Sequence, residues 1–279
     1  VGFYVKQLHW AQDLLSVARW ATDNGFEFID LDETADKTAK LIIDAGFKVG
    51  SADLIGGKEL SAASQNVRND NLKIVTRYIQ TVTKAGVSIF NLCAIPLDPS
   101  LPRLENLSYF MDSLRSLTPI FEDTGSCLAI EGWPGPGALA TTPESYRFVL
   151  DNCASRTVGI NYDPSHLIAT GIDPIRFAKE FAPKIYHVHG KDTEISTESQ
   201  YQVGIRQPPL EKLRPFSGSH WRYTIPGHGE MSWTVSFKIL LAAGYQGGIS
   251  IELEDENFNG TETGEKEGLL VGKALLSSA

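Results

Sequence analysis

Glu131, Asp163, His189 and Glu252 each close a short apolar run: Leu128-Ala129-Ile130-Glu131, Val158-Gly159-Ile160-Asn161-Tyr162-Asp163, Ile185-Tyr186-His187-Val188-His189 and Ile249-Ser250-Ile251-Glu252. Runs of this length and composition read as buried strands, so each polar group sits where its strand leaves the core. A single glutamate in such a place is more often a salt-bridge or capping residue than a ligand. Four metal-competent ends on consecutive strands point instead to a shared partner, and a divalent cation is the simplest one for charge at the end of an apolar run. Three carboxylates and one imidazole make a hard, oxygen-rich set suited to Mn²⁺ or Mg²⁺, with Co²⁺ or Zn²⁺ accommodated through the histidine. Thiolates are absent from the set, which argues against a structural zinc.

Other residues gather around these ends. His166 follows Asp163 by three positions and is read either as a substrate contact or as a structural hydrogen-bonding group. His187 precedes His189 by two, so it points to the same face one layer deeper, a place for a supporting or core residue rather than a ligand. Lys191 is a candidate to hold a substrate oxygen, and Asp192 to buttress His189 or Lys191. Trp133, in the Gly- and Pro-rich loop 132–137, either stacks on a substrate face or packs the loop base. His228, between two glycines, reads as a turn residue, and Glu254 and Asp255 as a solvated or loop-bonding acidic edge. Asp53, Asn91 and His9 fall near earlier strand ends, where they either line the pocket or are ordinary polar termini.

The elements that must position these groups alternate regularly. Strands are expected at Val1–Val5, Phe26–Leu31, Lys48–Leu54, Val87–Ala94, Cys127–Glu131, Val158–Asp163, Ile185–His189 and Gly248–Glu252. Helices are expected at Leu14–Asp23, Ala35–Ala45, Ser61–Ala85, Glu105–Thr124, Pro143–Asn152, Asp173–Phe181, Ser232–Ala243 and Glu265–Leu276. Glycine follows four of the helical runs, at Gly25, Gly46, Gly86 and Gly244, and Thr142-Pro143 and Asp173-Pro174 are cap-then-proline helix starts. Eight βα pairs in 279 residues are the pattern of a single (β/α)₈ TIM barrel, expected to span residues 1–279 as one domain. The segment Thr193–Pro226 after the seventh strand exceeds an ordinary βα loop and is a candidate lid or subunit-contact arm.

A formal net charge of −9 disfavours a nucleic-acid partner. A small-molecule substrate fits better, and homo-oligomerisation is left open. Three scattered cysteines, Cys93, Cys127 and Cys153, read as reduced thiols and point to a cytoplasmic setting. No run approaches the roughly 18 apolar residues of a membrane span. The chain begins at Val1, which leaves a removed leader open.

Ile130-Glu131-Gly132, Asn161-Tyr162-Asp163-Pro164-Ser165-His166, Tyr186-His187-Val188-His189-Gly190-Lys191-Asp192 and Ser250-Ile251-Glu252-Leu253-Glu254-Asp255, with Pro226–Glu230 and Trp233, resemble the xylose-isomerase-like TIM-barrel superfamily. The closest likeness is to its sugar phosphate isomerase/epimerase branch, which includes the ketose 3-epimerases. The resemblance implies that Glu131, Asp163, His189 and Glu252 ligate one divalent metal and that Glu131 and Glu252 also act as acid and base across a sugar. Proton transfer through a metal-stabilised enediolate of a ketose, keto-sugar or polyol derivative is the reaction it implies. The same enediolate serves the alternative, a lyase or hydrolase that cleaves a keto-glycoside. An apurinic-endonuclease-like phosphodiesterase is disfavoured, because Asp53 and Asn91 stand where extra histidines would be needed and no Asp-x-His follows His189. A non-catalytic barrel is disfavoured by the complete ligand set.

Overall fold

Short apolar runs punctuated by helices fold as the alternation dictates. In the computed structural model, residues 1–6, 8–135, 137–153 and 155–279 are described. The elements in chain order are β1 (Gly2–Tyr4), α1 (Leu14–Asp23), β2 (Phe28–Leu31), α2 (Ala35–Asp44), β3 (Lys48–Asp53), α3 (Gln65–Ala85), β4 (Ile89–Cys93), α4 (Arg103–Thr124), β5 (Cys127–Glu131), α5 (Pro143–Cys153), β6 (Val158–Tyr162), α6 (Pro164–Ala169) and α7 (Pro174–Phe181). There follow β7 (Ile185–Gly190), β8 (Asp192–Ile195), α8 (Thr197–Val203), β9 (Trp221–Thr224), α9 (Trp233–Ala242), β10 (Ile249–Ile251) and α10 (Glu262–Ser278). Strands β1-β10-β7-β6-β5-β4-β3-β2 form a closed barrel, so the expected (β/α)₈ architecture is found. The remaining strands, β8 and β9, form an antiparallel pair of their own.

Backbone packing divides the chain into two compact units. One comprises residues 29–162 and 184–187, and carries the middle strands. There β3, β4, β5 and β6 run parallel, with Phe90 beside Leu128, Leu92 beside Ile130, and Ile130 beside Ile160. Phe90, Phe110, Phe121, Leu128, Ile130, Ile160 and Ile79 are fully buried. Each such side chain contributes on the order of 1.5–3 kcal/mol by leaving water. The α3 helix stops at Gly86, whose φ of 113° is open to glycine and lets the chain turn into β4.

The other unit comprises residues 1–28, 163–183 and 188–279. In it β1 pairs with β10, and β10 with β7, all parallel. Ser250 lies beside His189 and Ile251 beside Gly190. Because side chains alternate along a strand, Glu252 and Lys191, each two residues further on, emerge on the same face as that pair. Phe3, Val188, Ile251, Leu253 and Leu269 form the buried side.

Two local features differ from the expected elements. The chain does not run straight on from β6: Asp163 caps α6, accepting from Ser165 N at 2.9 Å, with Pro164 in the first helical turn. The long segment after β7 is also partly ordered, folding into β8, α8 and β9. Among the described residues, no helix is long and apolar enough to cross a membrane. Cys93, Cys127 and Cys153 are free thiols, and burial pushes the Cys127 thiol up to about 11.

Candidate active site

Lys191 lies at the centre of the polar cluster. It leaves β7 just after Gly190, is 1% exposed, and places Nζ 2.5 Å from Glu252 Oε2, 3.0 Å from Glu254 Oε2 and 3.2 Å from Asp163 Oδ2. Burial alone would strip the proton from such an ammonium. The Asp163, Glu252 and Glu254 carboxylates oppose that and hold its pKa well above the ordinary lysine value. The Tyr223 ring covers the ammonium, with its centroid 4.7 Å away.

Asp163 arrives through its capping role. One oxygen, Oδ1, accepts from Ser165 N at 2.9 Å and Ser165 Oγ at 2.6 Å, which fixes the carboxylate. The other, Oδ2, is buried and accepts no hydrogen bond; it faces Lys191 and, at 3.4 Å, His166 Nε2. The first turn of α6 carries His166 inward, where Nδ1 lies 2.7 Å from the Tyr223 hydroxyl. His189 stacks on Tyr4 with ring centroids 5.8 Å apart, and its Nδ1 is 3.3 Å from Glu252 Oε2.

Asp163, His166 and Glu252 each offer a ligand atom within 4.8 Å of the others. Carboxylate oxygens, an imidazole nitrogen, and a buried oxygen without a hydrogen bond form a donor set that fits a divalent cation. The expected residues of this unit, Asp163, His166, His189, Lys191 and Glu252, thus converge. Glu131, in the other unit, ends β5 beside Asn161 of β6, is 7% exposed, and has the Cys93 thiol 3.6 Å from its Oε2.

Among the surrounding residues, His187 and Asp255 take the supporting places read from the sequence and Asp192 does not. His187 is buried and its Nε2 lies 2.7 Å from Asp30 Oδ2, which makes it part of a core pair. Asp192 does not reach His189 or Lys191. Its carboxylate accepts from the backbone N–H groups of Thr193, Gly227 and Met231 and from Trp233 Nε1, and so pins the turn leading into α9. Burial raises the Asp192 pKa, and the four donors act against that shift. The turn approaches so closely that a side chain at Gly229 would meet Asp192 Oδ1 at 2.3 Å. Trp133 is 37% exposed and lies against Gly135, where a Cβ would fall 1.6 Å from the indole. His9 bonds to Glu265 through backbone and ring, Asn91 donates to Ser51 Oγ, and Asp53 accepts from Tyr78 through its backbone oxygen. Asp255 is fully buried and binds Arg222 and Ile225 N, consistent with a loop-bonding residue.

Two members of the cluster do not stand out in the sequence. Glu254 joins Lys191 instead of facing solvent. A signal for it exists: Glu252 and Glu254 are two apart in extended chain and so share a face. Tyr223 comes from the hairpin of β8 and β9, and nothing in its local sequence distinguishes it from the other aromatics of that segment.

Comparisons with known proteins bear on the fold and the family. Over 119 residues the chain is 35% identical to YfiH of Bacillus subtilis (strain 168), named as uncharacterized; the match covers 42% of this chain and 37% of YfiH. Over 178 residues it is 29% identical to the inosose dehydratase of Bacillus thuringiensis (strain Al Hakam), covering 63% of this chain and 57% of that enzyme. The chain therefore spans less than two thirds of these relatives. Among solved structures, D-psicose 3-epimerase has a TM-score of 0.73 at 16% identity, covering 98% of this chain and 96% of that one. The 3-keto-D-glucoside 4-epimerase YcjR of E. coli has a TM-score of 0.69 at 18% identity, covering 98% of both chains. The IOLI protein with a binding zinc atom has a TM-score of 0.73 at 19% identity, covering 99% and 97%. At such identities these structures speak to the fold alone. The family profile, however, matches residues 17–275, and the chain belongs to the xylose isomerase-like TIM-barrel family.

Proposed function

We propose that the protein is a divalent-metal-dependent isomerase or epimerase, a single catalytic barrel domain that moves a proton next to the carbonyl of a small sugar-like substrate. The observation that carries this reading is the convergence of Asp163, Glu252, Glu254, His166 and His189 around a buried cationic position, with Asp163 Oδ2 accepting no hydrogen bond. Glu131, Asp163, His189 and Glu252 would hold one ion. Mn²⁺ or Mg²⁺ suits the oxygen-rich set best; Co²⁺ and Zn²⁺ are also compatible with it. For Glu131, the support is its place at the end of β5, the neighbour of β6 in the barrel, in register with a residue two before Asp163. When bound, the ion supplies Lewis-acid polarisation of a carbonyl and its neighbouring hydroxyl.

Glu131 and Glu252 remove and return the proton at the carbon beside that carbonyl. Lys191 and His166 bind substrate oxygens, and Trp133 covers a sugar face. His187, through Asp30, and Asp192, through the turn before α9, keep the strand ends in place. A second reading, a lyase that expels a leaving group after the same proton abstraction, is favoured by the sequence similarity to inosose dehydratases.

The test is a panel of ketoses, keto-glycosides and inososes incubated in D₂O with the metal-loaded protein, read by NMR. Deuterium should enter the carbon beside the carbonyl of one class. Glu131→Gln and Glu252→Gln should each abolish that exchange, by at least about 10²-fold, while leaving the far-ultraviolet circular dichroism unchanged. Unchanged exchange in both variants would refute the acid/base assignment. Loss of a substituent with the exchange would decide for the lyase.

A further inference from the structure

Asn161, on β6, carries a buried amide that the fold itself does not use. The residue is 1% exposed, and neither Nδ2 nor Oδ1 has a hydrogen-bond partner among the described residues. Asn91 and Asn106, buried in the same unit with an unmet oxygen, at least engage Nδ2, 2.7 Å from Ser51 Oγ and 2.7 Å from Asp98 O respectively. Leaving both ends of a buried amide unpaired is costly, and such groups in a folded protein call for a partner from outside the fold.

The strand register says on which face that partner must lie. Glu131 of β5 is the partner of Asn161, and Ile130 that of Ile160. Paired residues of parallel strands share a face, so Asn161 leaves the sheet on the side of Glu131, while Ile130 and Ile160, both fully buried, pack on the other. Cys93, the β4 partner of Glu131, sends its thiol to within 3.6 Å of Glu131 Oε2 on that same side. The polar strand ends of this unit therefore share a face with the unused amide. An amide offers two N–H donors and a carbonyl acceptor. Two adjacent hydroxyls meet both ends, one accepting from Nδ2 and the other donating to Oδ1. A phosphoryl group, which only accepts, meets one end and brings its charge toward the Glu131 carboxylate.

We propose that Asn161 is a substrate-binding residue whose amide takes adjacent hydroxyls of a neutral polyhydroxylated compound beside Glu131. This deepens the proposed function and rests on it in one respect, that the face carrying Glu131 is the substrate pocket. Held through two hydroxyls, the carbon chain is fixed next to the group assigned to move its proton. A compound without adjacent hydroxyls leaves the amide as unmet as it is in the free protein, so Asn161 selects against it.

Two-dimensional ¹H–¹⁵N NMR of the Mg²⁺-loaded full chain tests this, with the Asn161 side-chain amide assigned through its own backbone resonances. The ketoses, keto-glycosides and inososes of the panel above are titrated in turn. At least one should shift the Asn161 amide pair saturably, and dihydroxyacetone, a ketose without adjacent hydroxyls, should leave it in place. An amide pair unmoved by every panel member, or moved as far by dihydroxyacetone, overturns the proposal, and this wild-type result stands even where a variant folds poorly. Asn161→Leu should raise the concentration for half-maximal deuterium exchange at least 10-fold while lowering the limiting rate by less. An unchanged half-maximal concentration also overturns the proposal. A compound that shifts the Asn161 amide but exchanges no deuterium supports the binding role and contradicts the proton-transfer reading; exchange without any shift does the reverse.

Discussion

Lys191 is the residue on which the electrostatics of the site depend. Three carboxylates share one fully buried ammonium, so its removal leaves several negative charges without compensation. Lys191→Met should lower the unfolding free energy in chelator by about 3–5 kcal/mol, the cost of breaking a buried ion pair from one side. Added Mn²⁺ should recover part of that loss. Urea denaturation with and without metal measures both, and a change below about 1 kcal/mol would mean that the carboxylates relax into solvent. The sign of the pH dependence follows from the raised pKa of the ammonium. Its stabilisation is fully present below the ordinary lysine value of 10.5 and is lost only as pH rises through the folded-state value. The candidate ligands are legible in sequence because each ends an apolar run. Tyr223 and Glu254 are not. Tyr223 enters the site only when a hairpin folds back, and Glu254 has the same local setting as the other acidic residues that follow β10.

At the scale of the elements, the eight barrel strands and their helices follow from apolar periodicity and glycine stops, and the structure places them within a few residues of expectation. The α6 helix escapes the periodicity although Asp163-Pro164 has the same cap-then-proline form as Asp173-Pro174. A strong strand pattern up to Asp163 hides the start of a helix six residues long. The segment after β7 reads as a loop because β8 and β9 pair with each other outside the barrel, so no barrel period marks them. Two carboxylates hold that hairpin region. Asp192 satisfies four N–H donors, and Asp255 binds Arg222 and Ile225 N. Asp192→Ala leaves three buried donors, Thr193 N, Met231 N and Trp233 Nε1, unpaired and should cost at least about 3 kcal/mol, at about 1–3 kcal/mol per orphaned group. Asp255→Ala should raise amide hydrogen exchange in residues 221–225 while leaving β3–β6 protected. Equal exchange in the two proteins would show that β8 pairing alone holds β9.

For the whole chain, composition narrows the choice of partners and motifs give the family, whereas the substrate class is beyond what either supplies. Barrels of this family present different pockets on the same strand ends, and specificity resides in loops whose conformation is set by tertiary contacts. If an ion belongs to the native state, chelation should lower the melting temperature. Restoring Mn²⁺, Mg²⁺, Co²⁺ or Zn²⁺ at about 100 times its dissociation constant should return about 2.7 kcal/mol. Calorimetry across the four metals would rank them, and a melting temperature indifferent to all four would remove the ion from the folded state.

The most direct measurement is anomalous diffraction from crystals grown with Mn²⁺. One anomalous peak should lie among the carboxylates of Glu131, Asp163 and Glu252 and the imidazole of His189, within bonding distance of all four. A peak elsewhere, or no peak from protein that still exchanges substrate protons, would contradict a metal-assisted site at the ends of these strands.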